Sequence, residues 1–100
     1  MLTEPTAQVG TNADGSATVR LSGPVGADNL ATVRAAFECA GGSGPLIVDL
    51  TDVTFLEPAG IELLREVAAE RGLELVLGPG CPVFSVIQLS GLAEEAGLRP

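Results

Sequence analysis

The spacing of hydrophobic residues changes several times along the chain, and each change marks a new element. From Ala17 to Gly23, apolar Ala17, Val19 and Leu21 alternate with Thr18, Arg20 and Ser22, which predicts a strand with one buried and one wetter face. A weaker strand over Thr6 to Gly10 precedes it, and the turn-forming cluster Thr11-Asn12-Ala13-Asp14-Gly15 makes the two a hairpin. Met1 to Pro5 reads as a loose start. After Gly23-Pro24-Val25-Gly26 the period lengthens: Leu30, Val33, Phe37 and Ala40 recur at spacings of three and four, one face of a helix lying on a sheet. That helix is expected to begin near Asp28, whose carboxylate is of the type that caps first-turn N–H groups. Gly41-Gly42-Ser43-Gly44 ends it.

The stretch from Pro45 to Gly72 organises the rest. Leu46-Ile47-Val48 is an apolar run leading into Asp49-Leu50, the pattern of a strand buried on both faces in a parallel sheet with helical crossovers. Thr51-Asp52-Val53-Thr54 reads as a polar link, and Phe55-Leu56 as a return to the core. Pro58 sets the backbone for a first helical turn, where its missing N–H is no loss. At about 100° per residue, Gly60, Ile61, Leu64, Val67 and Ala68 fall toward the sheet, while Ala59, Glu62, Glu66 and Glu70 fall outward. Leu63 lies at the edge of the apolar arc. Leu73 to Leu77 predicts another strand, and Gly78-Pro79-Gly80-Cys81 the turn after it. Pro82 opens a third helix to about Ser90, apolar nearly all round through Val83, Phe84, Val86, Ile87 and Leu89; its outer face must be buried in the domain or on something else. Ala93 to Pro100 has little strand character and reads as a loose end or frayed helical turn.

This order predicts an α/β fold: a single domain over residues 1–100, with a mixed four- to five-stranded sheet covered by α-helices. One hundred residues with 46% apolar content suffice for one core and not for two. Thirteen acids against five arginines and no lysine give a net charge of −8. That sign disfavours phosphate backbones and anionic membrane surfaces, so no nucleic-acid partner is expected, and a protein partner with a basic face fits better. Cys39 and Cys81 stand alone without any histidine, so no metal site or redox pair is expected. No secretory signal or run near the length of a membrane span is visible; the expectation is a cytoplasmic, reduced protein with no direct membrane insertion.

The order of an apolar strand ending in Asp49, the apolar pair Phe55-Leu56, the helix-opening Glu57-Pro58-Ala59-Gly60 and the later Leu89-Ser90-Gly91-Leu92 resembles the STAS family. This is the domain of bacterial anti-sigma factor antagonists, which also occurs in sulfate transporters. In the antagonists the helix-opening switch typically reads Asp-Ser-Ser-Gly or Asp-Ser-Thr-Gly, and the partner kinase phosphorylates its third residue. That position here is Ala59, which has no hydroxyl to accept a phosphate. Gly26 stands where the family commonly has an acid near the switch, with Asp28 as a neighbouring substitute. The resemblance implies a non-enzymatic regulatory module that docks an anti-sigma factor or related kinase through the N-terminal half of the central helix, without phosphorylation at Ala59. Transcription regulation and signalling follow from the same resemblance.

The expected partner-binding residues are Gly26, Asp28, Thr54, Glu57, Pro58, Ala59, Gly60, Glu62, Leu63 and Glu66, with Thr54 as an alternative hydroxyl for regulation. The same acidic helix face also reads as a solvated surface. Asp49, Asp52 and Glu57 cluster around one loop, but each is explained by turn hydrogen bonds or by the helix dipole. Without a recognisable nucleophile setting, no catalytic residue and no cofactor are expected. Two further readings stay open: a STAS subunit of a membrane-associated transport assembly, favoured by the apolar third helix, and a small-molecule sensor, which requires a pocket near the switch. A homodimer is compatible with all of them.

Overall fold

The alternation of Ala17, Val19 and Leu21 becomes β2 (Ala17–Val25), with all three side chains buried. In the computed structural model, which describes residues 6–41, 44–77 and 80–99, β2 is preceded by β1 (Thr6–Thr11) and followed by α1 (Leu30–Cys39). β3 (Leu46–Leu56), α2 (Pro58–Glu70), β4 (Leu73–Val76), α3 (Phe84–Ser90), α4 (Leu92–Glu95) and β5 (Gly97–Arg99) complete the order. Met1 to Pro5, Gly42, Ser43, Gly78, Pro79 and Pro100 lie outside the described residues, so the loose start and parts of two expected turns fall there. β1 and β2 form the expected hairpin, antiparallel from Thr6↔Ser22 to Thr11↔Ala17. Asn12 N–H donates to the Ser16 carbonyl at 2.7 Å across the turn, and Gly15 takes φ +90°, a left-handed conformation that glycine adopts without steric cost.

The five strands stand in chain order, β1-β2-β3-β4-β5, with β2 to β5 parallel. Crossovers between parallel strands are right-handed, and here every one steps the same way across the sheet. All the helices therefore land on one face: α1 touches α2, α2 touches α4, and α4 touches α3. Between them and the sheet lies the core, including Leu21, Leu46, Val48, Leu50, Val53, Leu75, Ile87 and Leu92. Each such buried side chain contributes about 1.5–3 kcal/mol relative to exposure.

The opposite face of the sheet stays open, which corrects the expectation of a central strand buried on both sides. Leu46, Val48 and Leu50 are buried, while Ile47 and Asp49 between them are only half-buried. Thr51 to Thr54 is not a polar link either, because β3 runs through it. Two register shifts against β2, between Arg20 and Ser22 and between Gly23 and Pro24, each insert an extra residue into β3. Inward-facing residues are consequently spaced by three in this half, Leu50, Val53 and Leu56, instead of by two. Leu56 enters the core as expected, but Phe55 does not, being 56% exposed.

The C-terminal expectations change as well. The third helix starts at Phe84 instead of Pro82, with Val83 and Ile87 turned into the core and Leu89 exposed. The segment from Ala93, expected as a loose end or frayed helical turn, instead continues α4 from Leu92 and then forms β5, which pairs in parallel with β4 from Glu74↔Gly97 to Val76↔Arg99.

Candidate functional site

The start of α2 is fastened to the ends of β2 and β3. Pro58 occupies the first helical turn, and the N–H of the cap residue Glu57 donates to the Val25 carbonyl at 2.9 Å. Gly60 is buried in that turn; a Cβ there would lie 2.8 Å from Leu56 Cδ1 and 3.0 Å from Val25 Cγ1. The helix thus rests on the two strands at a distance only a glycine permits.

Gly26, also buried, takes part in the same corner. Glu57 does not cap its own helix with its side chain. Its carboxylate instead occupies the space over Gly26, where a Cβ on Gly26 would collide with Cδ and both oxygens. Gly26 and Glu57 thus share one space, which the carboxylate fills because residue 26 has no side chain. Asn29 closes the loop around this arrangement: Gly26 N–H donates to Asn29 Oδ1 at 2.9 Å, and Asn29 Nδ2 donates to the Pro24 carbonyl at 3.1 Å. The expected role of Asp28 as helix cap is overturned, since the cap position of α1 is Asn29 and Asp28 is exposed. Asn29 is legible as the cap position, standing directly before the first periodic apolar residue, but its side chain makes no cap hydrogen bond and serves the preceding loop instead.

Of the other expected partner-binding residues, Thr54, Pro58 and Glu62 are exposed and Ala59 is half-buried at the surface. Leu63 is not a surface residue. It is 2% exposed and belongs to the core. The physical reason is that α2 is flanked by α1 as well as lying on the sheet, so its buried arc turns to Gly60, Leu63, Leu64 and Val67, and Ile61 and Ala68, expected to face the sheet, are only half-buried. Glu66 is exposed but engaged, accepting from Arg34 of α1 at 3.2 Å. Phe55, expected in the core, is exposed two residues before Glu57 and opposite Pro24 in the β2–β3 pairing. An apolar aromatic beside Leu56 carries no signal of exposure unless the bulge is known.

Among the described residues, a cavity of about 190 Å³ lies between α1 and α2, lined by Phe37, Leu63 and Val67 among others, and another of about 250 Å³ on the open sheet face beside Arg20 and Asp52. Neither is lined by Gly26, Glu57 or Ala59. Among the described residues no cluster of three or more His, Cys, Asp or Glu side chains is placed to hold a metal ion, and no helix is long and apolar enough to cross a membrane.

An α/β domain with one helix layer, a mixed sheet in chain order and a helix seated by glycine at the β3 end has the STAS fold of the anti-sigma factor antagonists. The chain is similar to the crystal structure of an anti-sigma factor antagonist from Mycobacterium paratuberculosis, with a TM-score of 0.78 and 25% identity over 97% of this chain and 86% of that one. It is also similar to the anti-sigma factor antagonist SpoIIAA in its unphosphorylated form, with a TM-score of 0.70 and 20% identity over 95% and 89% of the two chains. No family model and no curated protein matches the sequence.

Proposed function

We propose that this chain is a non-enzymatic regulatory binding domain of the anti-sigma factor antagonist type, docking an anti-sigma factor or related regulatory kinase in the cytoplasm. The observation that carries the reading is the fold likeness to an antagonist over nearly the whole chain. The start of α2, with Pro58 and Glu62 exposed and Ala59 half-buried between them, is the docking surface. With alanine at position 59 the surface carries no acceptor hydroxyl there, so the domain stays in one unmodified, partner-competent state. Regulation then comes from expression level, from another partner or from a different hydroxyl such as Thr54.

The test is a titration of wild type and Ala59→Glu against the purified anti-sigma factors of the source organism, after a pull-down from native lysate. The expected result is binding by wild type and a loss of at least tenfold, about 1.4 kcal/mol, in Ala59→Glu. Capture of transport-system subunits, unaffected by Ala59→Glu, replaces this reading with the assembly one. Leu89, exposed at 88% on α3, is the feature that favours that alternative; Val83 and Ile87 of the same region are buried and leave no broad apolar face.

A further inference from the structure

The two edges of the sheet differ in kind. β5 is three residues long and ends on Arg99, whereas β1 runs for six residues, Thr6–Thr11, without a charge, a proline or a bulge. Short strands, charges and prolines are what blunt an edge against pairing with another chain, and β1 has none of them. Asn12 N–H donates to the Ser16 carbonyl across the hairpin turn. In the alternation of an antiparallel pair, Gly10 and Gln8 therefore turn their N–H and C=O groups to β2, and Thr11, Val9 and Ala7 turn theirs outward. Among the described residues no strand lies on that outer side.

The side chains along this edge are equally bare. Val9 pairs with buried Val19 and so shares the helix-bearing face of the sheet, yet it is 43% exposed because β1 is the last strand. α1 touches both β1 and β2 and so lies over the gap between them. Its Arg34 and Glu38 are turned toward α2, Arg34 to the Glu66 carboxylate and Glu38 to the cavity between the helices. At about 100° per residue the opposite flank of α1 carries Thr32, Ala36 and Cys39, all small and uncharged.

We infer that β1 is the two-fold interface of a homodimer, pairing antiparallel with β1 of a second copy in a register centred on Val9. Val9 then opposes its own counterpart and Ala7 opposes Thr11, so the outward N–H and C=O groups of all three residues are bonded. Neighbouring strands lie about 4.8 Å apart, which brings the two α1 axes to about 10 Å, the separation at which helices pack through small side chains. The two helices cover the Val9 pair. Charge selects a second copy as the occupant. Each chain carries −8, so two copies repel and meet most readily where neither the strand nor the flank of α1 brings an acid to the axis. A basic partner finds no carboxylate on this strand to pair with. The start of α2, fastened to β2 and β3, is not part of this edge, and the dimer is independent of the docking surface.

The experiment follows the full chain by analytical ultracentrifugation from about micromolar to millimolar protein, at about 50 and 500 mM salt. Reducing buffer excludes a disulfide through exposed Cys39, and amide hydrogen exchange is read residue by residue by NMR. The expected result is a reversible dimer that tightens at the higher salt, as screening of like charge requires. In it the N–H groups of Ala7, Val9 and Thr11 gain at least about tenfold protection, while those of Gln8 and Gly10, already bonded to β2, change little. Val9→Lys places two like charges at the axis and should give a monomer with wild-type circular dichroism. Leu89→Ser, which removes the other large aliphatic side chain exposed among the described residues, should dimerise as wild type does. A chain that stays monomeric throughout refutes the inference, as does a dimer that loosens at high salt, survives Val9→Lys or is abolished by Leu89→Ser. If Val9→Lys does not fold, the wild-type exchange pattern decides: unchanged exchange at Ala7, Val9 and Thr11 in the dimer sinks the proposed pairing. Protection of those three amides only on addition of an anti-sigma factor assigns the edge to a foreign strand and equally overturns the homodimer. Partner affinity of Ala59→Glu is read separately, so failure of the dimer and failure of docking are told apart.

Discussion

Gly60→Ala and Gly26→Ala add the same methyl group to two buried glycines of one corner, and their outcomes should differ because of what each methyl meets. At Gly60 the new Cβ lies 2.8 Å from Leu56 Cδ1 and 3.0 Å from Val25 Cγ1, both side chains being buried in the core. Overpacking of this kind costs about 1–3 kcal/mol. Against it stands the gain from replacing a helical glycine by alanine, roughly 0.5–1 kcal/mol. The net expectation is a destabilisation of about 0–2.5 kcal/mol, taking the limits of both ranges, and hence a melting point lower by up to roughly 10–20 °C in a domain of this size. At Gly26 the obstacle is the end of the Glu57 side chain, which can swing toward water. Gly26 has no positive φ to strain an alanine, and the stiffer unfolded chain returns about 0.4–1 kcal/mol. Gly26→Ala should therefore stay within about 1 kcal/mol of wild type. Thermal and urea unfolding followed by far-ultraviolet circular dichroism measure both variants. A Gly60→Ala protein melting clearly above wild type would refute the close seating of α2 on β2 and β3.

Three further outcomes follow from the same packing. Leu63→Ala should lose about 2–5 kcal/mol of stability, read as a lower urea midpoint, while the folded fraction keeps wild-type partner affinity. Arg71 holds the end of α1 by donating to the carbonyls of Ala40 at 3.0 Å and of Gly41 and Gly44 at 3.2 Å; Arg71→Ala should cost about 1–3 kcal/mol and speed amide hydrogen exchange in the last turn of α1. Asn29→Ala should cost about 1–2 kcal/mol through its two hydrogen bonds, whereas Asp28→Ala should fall within about 0.5 kcal/mol of wild type; equal effects on the thermal midpoint would contradict the role of Asn29 in closing the loop between Pro24 and Gly26.

The legible parts of the fold are those in which one period holds. β2 was readable because Ala17, Val19 and Leu21 alternate without interruption over a single buried face, and α1 because Val33 and Phe37 carry the contact with the core. β3 was half readable. Its first half obeys period two, but the bulges stretch the spacing from Leu50 to Val53 to Leu56, and polar residues at the bulges then resemble a loop. The start of α2 at Pro58 is legible, but a phase taken from the sheet alone points Ile61 and Ala68 inward, whereas beside α1 it is Leu63 that is buried. β5 is three residues held by backbone pairing to β4, too short for any periodicity to develop. At the site, the roles of Gly26 and Gly60 depend on what occupies the space where a side chain would be, and that is a property of the packing around them.

The strand order carries one more consequence. Open α/β sheets commonly bind nucleotides and other small ligands in a crevice at a topological switch point, where successive crossovers turn in opposite directions and neighbouring helices diverge to opposite faces. A sheet that runs β1-β2-β3-β4-β5 never reverses, so it has no such point, and the loops at the C-terminal ends of its parallel strands have no diverging helices to part them. The cavity between α1 and α2 and the one beside Arg20 and Asp52, at about 190 and 250 Å³, lie below the roughly 300–1,000 Å³ of most small-ligand sites. Chain order across the sheet thus leaves the loops that follow β2, β3 and β4 without the parted helices that frame such a crevice.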